Sequence, residues 1–171
     1  MDSDSDSCSI RILFVCMGNI CRSPMAEFML KYMVSKDNLN KRFIINSAAV
    51  TDEQIGKDIA EGTKKELDRW LIPYKKRAAV KFKKEDYENY DYIIAMDETI
   101  IKGILKIIGK DSKHKVCKLL DFSNFPRDIV DPAETNDFKR TYREIKEGCD
   151  FFYKYLISHE ITKKHTRLRS A

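Results

Sequence analysis

The sequence predicts a single α/β domain in which parallel β-strands alternate with helices. Short apolar runs of strand length alternate along the chain with longer segments of helical periodicity, which is typical of a parallel sheet covered by helices. The length of 171 residues suits one domain with a substantial core, and no internal repeat is visible. In such a fold the crossovers are right-handed, and a ligand binds at the carboxyl ends of the strands.

The elements follow one another in the order that this fold requires. The first apolar run, residues 10–15, is continuous apart from Arg11 and predicts a strand buried on both faces. Gly109 is expected to end a helix, because glycine accepts the left-handed conformation found after many helix C-termini. A polar loop, residues 121–136, is of the length that usually carries function. The predicted strands are residues 10–15, 42–47, 92–96 and 115–120, and the predicted helices are residues 24–36, 57–70, 98–108 and 137–159.

The composition indicates an ordinary globular protein and sets limits on its partners. Charged residues make up 35% of the chain and apolar residues 43%, which is not the balance of a disordered protein. The formal net charge of +5 favours anionic substrates but gives no argument for nucleic acid. No apolar stretch is long enough to cross a membrane, and no signal peptide is visible. We therefore expect a cytoplasmic protein with no nucleic-acid or membrane partner, although export by a route that needs no signal stays open.

The two ends of the chain are expected to flank one folded domain, residues 10–159. Residues 1–9 alternate Asp and Ser and predict a disordered lead, whereas residues 160–171 predict a basic, mobile tail. The five cysteines, at positions 8, 16, 21, 117 and 149, form neither a paired metal-ligand pattern nor a disulfide scaffold. We therefore expect no metal and no cofactor.

Residues 15–24, with the sequence VCMGNICRSP, join the first predicted strand to the first predicted helix. A loop that leaves a buried strand and enters a helix N-terminus is a ready anion site, because the first helical N–H groups lack internal partners. Gly18 and Asn19 tolerate unusual backbone angles, so that successive amides can turn inward. Ser23 is expected to cap the helix, and Pro24 suits its first position.

Three side chains of this loop can react with or bind a phosphate group. Cys16 lies at its base, where inward amides and the helix end favour a thiolate. Arg22 carries a planar fork that matches two phosphate oxygens, and the Ser23 hydroxyl could ease departure of the thiolate. The pattern predicts covalent phosphoryl transfer through a cysteinyl-phosphate. The alternative interpretation is a buried structural cysteine with a solvated arginine.

Residues 16–27, CMGNICRSPMAE, resemble the phosphate loop of the low-molecular-weight protein tyrosine phosphatases. Residues 46–50 resemble the end of this family's second strand, residues 90–98 resemble its third strand, and Asp131-Pro132 resembles the pair that carries its general acid. These blocks occur in the family's order over residues 10–159.

This resemblance implies a fold, an activity and a class of partner. The fold would be a three-layer α/β/α sandwich with a four-stranded parallel sheet of order 2-1-3-4 and the phosphate loop between strand 1 and helix 1. The activity would be hydrolysis of phosphotyrosine or other aryl phosphate monoesters in proteins and peptides, without a cofactor, by a monomer or weak dimer. The phosphate would bind the loop residues Met17, Gly18, Asn19, Ile20, Cys21, Arg22 and Ser23.

The resemblance also assigns roles to residues outside the loop. Asp131 would protonate the leaving phenolate and then activate water, and Asp128, three residues earlier, is the second candidate for this role. The Asn19 and Ser47 side chains would hydrogen-bond each other and hold the loop open, with Ser23 beside them.

Cys21 is the candidate for a redox role. In family members that have both cysteines, a disulfide between Cys16 and Cys21 would block the nucleophile reversibly. The other interpretation is a small buried residue. Cys8, Cys117 and Cys149 are interpreted as structural or incidental.

The substrate rim departs from the family pattern. Many members have two aromatic residues directly after Asp-Pro, where this chain has Ala133 and Glu134, and another aromatic wall of the family falls near Glu53. Ile20 is then the main apolar residue left for a phosphotyrosine ring. Phe122 and Phe125 are the candidates to replace the missing rings. We expect an open, acidic rim with weaker affinity for acidic phosphopeptides.

Three other functions are compatible with parts of the pattern. An arsenate reductase of the same fold needs two further cysteines on a mobile loop, and the positions of Cys117 and Cys149 count against it. Phosphoarginine phosphatases carry Thr where this chain has Ile20. A non-catalytic phosphate-binding module would be expected to lose Cys16, Arg22 or Asp131.

Overall fold

Four parallel strands form one sheet in the order β2-β1-β3-β4. This order confirms the predicted 2-1-3-4 sheet. The strands are β1 Ile10–Cys16, β2 Phe43–Ala49, β3 Tyr92–Ala95 and β4 Val116–Lys118. The structure is a computed structural model that describes residues 9–161. The predicted lead (except Ser9), the predicted tail beyond residue 161, and Cys8 lie outside the described residues.

Helices cover both faces of this sheet, so the predicted three-layer arrangement is confirmed. They are α1 Arg22–Lys36, α2 Glu61–Arg69, α3 Asp86–Asn89, α4 Glu98–Ile108, α5 Pro132–Thr135 and α6 Phe138–Leu156. One buried cluster joins α1 and α6 to Ile12, Phe14 and Cys16 of β1. A second cluster joins α4 to Leu13 and Val15, on the other face of the same strand. Among the described residues, no helix has the length and apolar character to span a membrane.

The helix after the phosphate loop begins earlier than predicted. It starts at Arg22, with Cys21 as the preceding residue, and no side chain caps its N-terminus. The expectation that Ser23 is the cap is therefore wrong, because Ser23 lies inside the first turn. Pro24 is still tolerated there, since the N–H groups of a first turn have no partner within the helix.

The second helix is shorter than predicted because tertiary contacts hold the residues before it in an extended path. Ala79 N–H donates to the Lys57 carbonyl at 2.7 Å, and Gly56 N–H donates to the Ala79 carbonyl at 2.9 Å. Ala60 N–H donates to the Ile20 carbonyl at 2.9 Å. Two of these bonds tie the segment before α2 to Ala79 and the third ties it to the phosphate loop, so that α2 begins only at Glu61.

Among the remaining elements α4 agrees fully with the sequence prediction, the other strand ends differ by one or two residues, and β4, the long loop and α6 differ more. α4 spans Glu98–Ile108 as predicted, and Gly109 follows it with φ 85°. β4 ends at Lys118, because Leu119–Phe122 turns into a 3₁₀ helix. The predicted long loop contains α5, and α6 ends at Leu156, before the π-helical turn Ile157–Ile161.

Candidate active site

The phosphate loop, residues 17–21, joins the end of β1 to the start of α1 at the carboxyl edge of the sheet. Its carbonyl groups are held outward by neighbouring segments. Val50 N–H donates to the Cys16 carbonyl at 3.0 Å, and Thr51 N–H donates to the Met17 carbonyl at 3.1 Å. Since a peptide group's carbonyl and N–H point in opposite directions, anchoring the carbonyls outside turns amides toward the interior of the loop.

The two unusual residues of the loop act differently from each other. Asn19 has φ 59°, in the left-handed region, as its tolerance for that region had indicated. Gly18 does not have a positive φ, so the expectation of an unusual angle there is wrong. Glycine suits this position for a steric reason, because a Cβ on Gly18 would lie 2.8 Å from Gln54 Cγ.

The Cys16 sulfur lies at the base of this loop with two polar contacts. Asn19 N–H donates to Sγ at 3.3 Å, and Ser23 Oγ lies 2.9 Å from Sγ. Asn19 Nδ2 donates to Ser23 Oγ at 2.8 Å, which leaves the serine hydroxyl proton free to point at the sulfur. Two donors converge on Sγ, and this is the environment that a thiolate requires.

Behind the loop, a buried polar network links Asn19 to β2 and α1. Asn19 Nδ2 donates to Ser47 Oγ at 2.8 Å, and Ser47 Oγ donates to Glu27 Oε1 at 2.6 Å. The other Glu27 oxygen accepts a hydrogen bond from Lys31 Nζ at 2.6 Å. The structure thus places Asn19 and Ser47 in contact, as the sequence prediction had them, and adds Glu27.

Arg77 completes this network and was missed by the sequence analysis. Its Nη1 donates to the Asn19 carbonyl at 2.6 Å, and its Nη2 donates to Asn19 Oδ1. Val80 N–H donates to the same Oδ1 at 3.1 Å. A single arginine in a lysine-rich stretch carries no sequence signal, because only the chain path beside β2 brings it to the loop.

Arg22 is almost completely buried and bonds two carboxylates. Its Nη1 donates to Asp97 Oδ2 at 2.5 Å and to the Ile129 carbonyl at 2.7 Å, and its Nη2 donates to Asp131 Oδ2 at 3.1 Å. Burial alone would lower the pKa of this guanidinium. The Cys16 sulfur and both carboxylates outweigh that effect and raise its pKa, so Arg22 stays a cation.

Asp97 is the second residue that the sequence analysis missed. It follows β3 at the carboxyl edge of the sheet and caps α4, accepting from Ile100 N–H at 2.8 Å. A carboxylate directly after a buried strand is a signal that could have found it. Its other oxygen is the one that holds Arg22.

Asp131 and Asp128, the two candidates for the acid, have different surroundings. Asp131 lines the pocket above Cys16, caps α5 through Ala133 N–H at 3.0 Å, and has a side chain that is 21% exposed. Asp128 instead accepts from Lys118 Nζ at 3.0 Å and from Glu98 N–H at 3.2 Å, and it does not line the pocket. The geometry brings Asp131 to the site and leaves Asp128 outside it.

A pocket of about 130 Å³ opens above the Cys16 sulfur. Of the predicted rim residues, Ile20, Glu53 and Ala133 line it, whereas Glu134 does not. Phe122 packs on Phe152 in the core, with ring centroids 4.6 Å apart. Phe125 is 70% exposed and does not line the pocket, so the suggestion that these two rings replace the missing aromatics is wrong. The full lining is Cys16, Met17, Gly18, Ile20, Cys21, Arg22, Thr51, Glu53, Gln54, Asp131 and Ala133.

The other cysteines of the described chain are buried or half-buried thiols. Burial, assisted by the charges of Cys16 and Asp131, raises the pKa of Cys21 to about 12. Burial likewise raises the pKa of Cys117 to about 12 and raises that of Cys149 further. Cys117 lies on β4 and Cys149 lies within α6. Within residues 9–161, no group of three or more His, Cys, Asp or Glu side chains could hold a metal ion.

Comparison with known proteins gives a consistent result. A family model described as low molecular weight phosphotyrosine protein phosphatase matches residues 11–166. The chain is 34% identical over 149 residues to the low molecular weight protein-tyrosine-phosphatase PtpA of Staphylococcus aureus (strain Newman), covering 86% of this chain and 94% of that protein.

Two solved structures are similar over almost their whole length. YfkJ from Bacillus subtilis superposes with a TM-score of 0.87 at 32% identity, covering 91% of this chain and 99% of YfkJ. SP-PTP, a low molecular weight protein tyrosine phosphatase from Streptococcus pyogenes, superposes with a TM-score of 0.78 at 33% identity, with the same coverage of 91% and 99%.

The contacts of Arg77 predict an effect on the reactivity of Cys16. Arg77→Ala removes both side-chain bonds to Asn19, so Asn19 N–H should no longer be held on the sulfur. We expect the rate of Cys16 alkylation by iodoacetate at pH 6 to fall about tenfold, the equivalent of about 1.4 kcal/mol, which is a typical strength for a hydrogen bond to a charged group.

The matched control is Arg127→Ala. Arg127 also bonds a carbonyl and a side chain, Phe125 O and Glu147, but it does not line the pocket above Cys16. Its loss should leave the alkylation rate unchanged. Equal alkylation rates in both variants and the wild type would show that Asn19 keeps its conformation without Arg77.

Proposed function

This chain belongs to the low molecular weight phosphotyrosine protein phosphatase family, and we propose that Cys16, Arg22 and Asp131 carry out its reaction through a cysteinyl-phosphate. The observation that supports this most is the convergence of two hydrogen-bond donors on the Cys16 sulfur, at the floor of a pocket that Arg22 and Asp131 also line. The catalytic domain in this proposal is residues 10–159.

The first step transfers the phosphoryl group to the enzyme. The Cys16 thiolate attacks phosphorus, an S–P bond forms and the P–O bond to the tyrosine ring breaks. Asp131, protonated at the outset, gives its proton to the departing phenolate oxygen. A protonated Asp131 holds Arg22 less strongly than a carboxylate does, so Arg22 Nη2 becomes available to the phosphate oxygens while Asp97 continues to hold Nη1.

The second step returns the enzyme to its starting state. The Asp131 carboxylate takes a proton from water, whose oxygen attacks phosphorus as the S–P bond breaks. Inorganic phosphate is released, and Cys16 is regenerated as a thiolate. The Ser23 hydroxyl, 2.9 Å from the sulfur, stabilises that charge as it forms.

Phosphotyrosine is the substrate class that the pocket supports best. Phosphoprotein substrates follow from the family, and Ile20 supplies an apolar contact for an aromatic ring. Arsenate reduction is not favoured, because Cys149 is fully buried inside a helix and Cys117 lies on a strand of the sheet. A monomer or weak dimer in the cytoplasm, without nucleic-acid or membrane partners, stays a prediction.

Replacement of Asp131 tests whether this residue protonates the leaving group. We expect Asp131→Asn to lower kcat/KM for phenyl phosphate, which excludes the later hydrolysis of the cysteinyl-phosphate, by about 10²–10⁴-fold, the usual range for loss of a general acid. The loss should be much smaller for p-nitrophenyl phosphate, because nitrophenolate leaves readily without a proton. Steady-state hydrolysis of both substrates measures the difference.

Two variants complete this experiment. Asp128→Asn is the matched control and should retain wild-type rates with both substrates. Cys16→Ser should have no measurable activity with either. A Cys16→Ser variant that hydrolyses p-nitrophenyl phosphate, or an Asp131→Asn variant with equal losses of kcat/KM on both substrates, would contradict the mechanism.

Cys21 gives the site a route to reversible oxidation in this proposal. A peroxide oxidises the Cys16 thiolate to a sulfenic acid, and the Cys21 sulfur then attacks Cys16. The S–S bond forms as the S–O bond breaks, and the hydroxyl leaves as water with the Cys21 proton. The high pKa of Cys21 keeps it a thiol until that step. Its position on the wall of the same pocket supports the pairing.

We expect Cys21→Ser to remove protection against overoxidation. After hydrogen peroxide and then dithiothreitol, the wild type should regain most of its activity, whereas Cys21→Ser should remain inactive with a sulfinic acid at Cys16. Mass spectrometry of the Cys16 peptide measures both products. The control Cys117→Ser should behave as the wild type, and recovery of Cys21→Ser to wild-type levels would exclude the disulfide.

The open rim gives a preference among phosphopeptides. Glu53 lines the pocket, and the residue after Asp131-Pro132 is a small alanine. An exposed carboxylate at the mouth favours substrates with basic residues beside the phosphotyrosine and disfavours acidic ones. We propose that Glu53 contributes most of this preference and that Glu134, outside the pocket lining, contributes little.

We expect a phosphotyrosine peptide with flanking lysines to have a kcat/KM about threefold above that of the same peptide with flanking glutamates, since exposed charge pairs are weak. Glu53→Gln should remove this preference and Glu134→Gln should keep it. The preference should also shrink at high salt. Acidic peptides as the best substrates would contradict the proposal.

A further inference from the structure

A second, larger cavity lies on the far side of the phosphate loop. Its volume is about 420 Å³, and it is bordered by β2, α1 and the segment of residues 75–83. It shares no lining residue with the pocket above Cys16. We call it the rear groove and define it by its charged lining residues. These are Glu27, Lys31, Lys75, Arg77, Lys81, Lys83 and Asp86.

The lining of the rear groove is strongly positive. Five basic side chains face two carboxylates, which gives a net charge of +3. Lys31 is neutralised by Glu27 at 2.6 Å, and Lys81 is neutralised by Asp52 at 3.3 Å. Within residues 9–161, no carboxylate lies at ion-pair distance from the Lys75, Arg77 or Lys83 side chains. The positive charge is therefore concentrated on these three cations, and Asp86 is the carboxylate of the lining that remains to offset them.

Arg77 is the cation of this group that carries most of the argument, because it is also partly withdrawn from water. Its guanidinium bonds only neutral acceptors among the described residues, namely the Asn19 carbonyl, Asn19 Oδ1 and Ser47 Oγ. Burial lowers its pKa, which means that the charged form is destabilised where it lies. The charges of Glu27, Cys16 and Asp58 offset part of this effect, and an anion in the groove would add further counter-charge.

We propose that the rear groove binds a small anion carrying two or more phosphate groups. Three cations against Asp86 leave a net charge of +2, which suits such a ligand, and 420 Å³ lies in the range of small-molecule sites. The phenol of Tyr90, which accepts from Asn46 Nδ2 at 2.9 Å, adds a hydroxyl donor to the lining. The site is additional to the phosphatase activity and needs neither Cys16 nor Asp131. Its occupant lies against Arg77, the side chain that holds Asn19.

Titration of the full chain with pyrophosphate, followed by amide resonances in ¹H–¹⁵N spectra at constant ionic strength, tests this proposal. Pyrophosphate also fits the loop above Cys16, but the two sites report on different amides. We expect one saturable set of shifts at residues 17–22 and a second at Asn46, Ala78, Val80 and Lys83.

Paired lysine variants give the test its specificity. Lys75→Gln with Lys83→Gln should weaken binding at the second set about tenfold or more, since two positive charges that face the anion are lost. The first set should be unchanged. Lys102→Gln with Lys106→Gln removes the same charge from the exposed face of α4 and should alter neither set. Shifts confined to residues 17–22, or an equal weakening by both lysine pairs, would overturn the proposal.

Discussion

The site depends on the left-handed backbone of Asn19, a conformation that costs free energy in a non-glycine residue and persists only where the surroundings enforce it. The carbonyl oxygen and the side-chain Oδ1 of Asn19 accept hydrogen bonds from Arg77, and its side-chain Nδ2 donates to two serine hydroxyls. This conformation acts directly on the Cys16 sulfur. With this residue fixed, its N–H lies 3.3 Å from the Cys16 sulfur. A phosphate cradle is therefore held open before any phosphate arrives.

The charge balance of the pocket rests on a second set of contacts. Arg22 is 1% exposed, and an isolated guanidinium at that depth would be costly. Asp97 and Asp131 offset this cost because their carboxylates bond the Arg22 guanidinium. Both carboxylates are held by helix caps, Asp97 on α4 and Asp131 on α5, and their side chains are 18% and 21% exposed. The two partners of Arg22 differ in position, because Asp131 lines the pocket above Cys16 and Asp97 does not.

Sequence reasoning succeeded where local chemistry decides and failed where the chain path decides. The strand–loop–helix unit, α4 with Gly109, and the Asn19–Ser47 contact follow from residue types and from the family resemblance. Arg77 could not be found, because an arginine among lysines differs from its neighbours only after the segment folds along β2. The start of α2 was misplaced for the same reason. Backbone pairing of residues 56–57 with Ala79 overrides a helical pattern that the sequence does contain.

The buried network around Asn19 and the Asp131 side chain have different tasks, and their hydrogen bonds show why. The side chains of Asn19, Ser23 and Ser47 are all buried, and every one has a partner. Among the described residues, the buried side-chain polar atoms without a partner are Thr63 Oγ1 and Glu144 Oε2, and neither belongs to this network. A fully satisfied buried network resists rearrangement, because each displaced group would be left unpaired in a low-dielectric interior. Stabilisation of the sulfur is therefore preorganised, whereas the proposed mechanism assigns proton transfer to Asp131, which lines the pocket and lies outside this network.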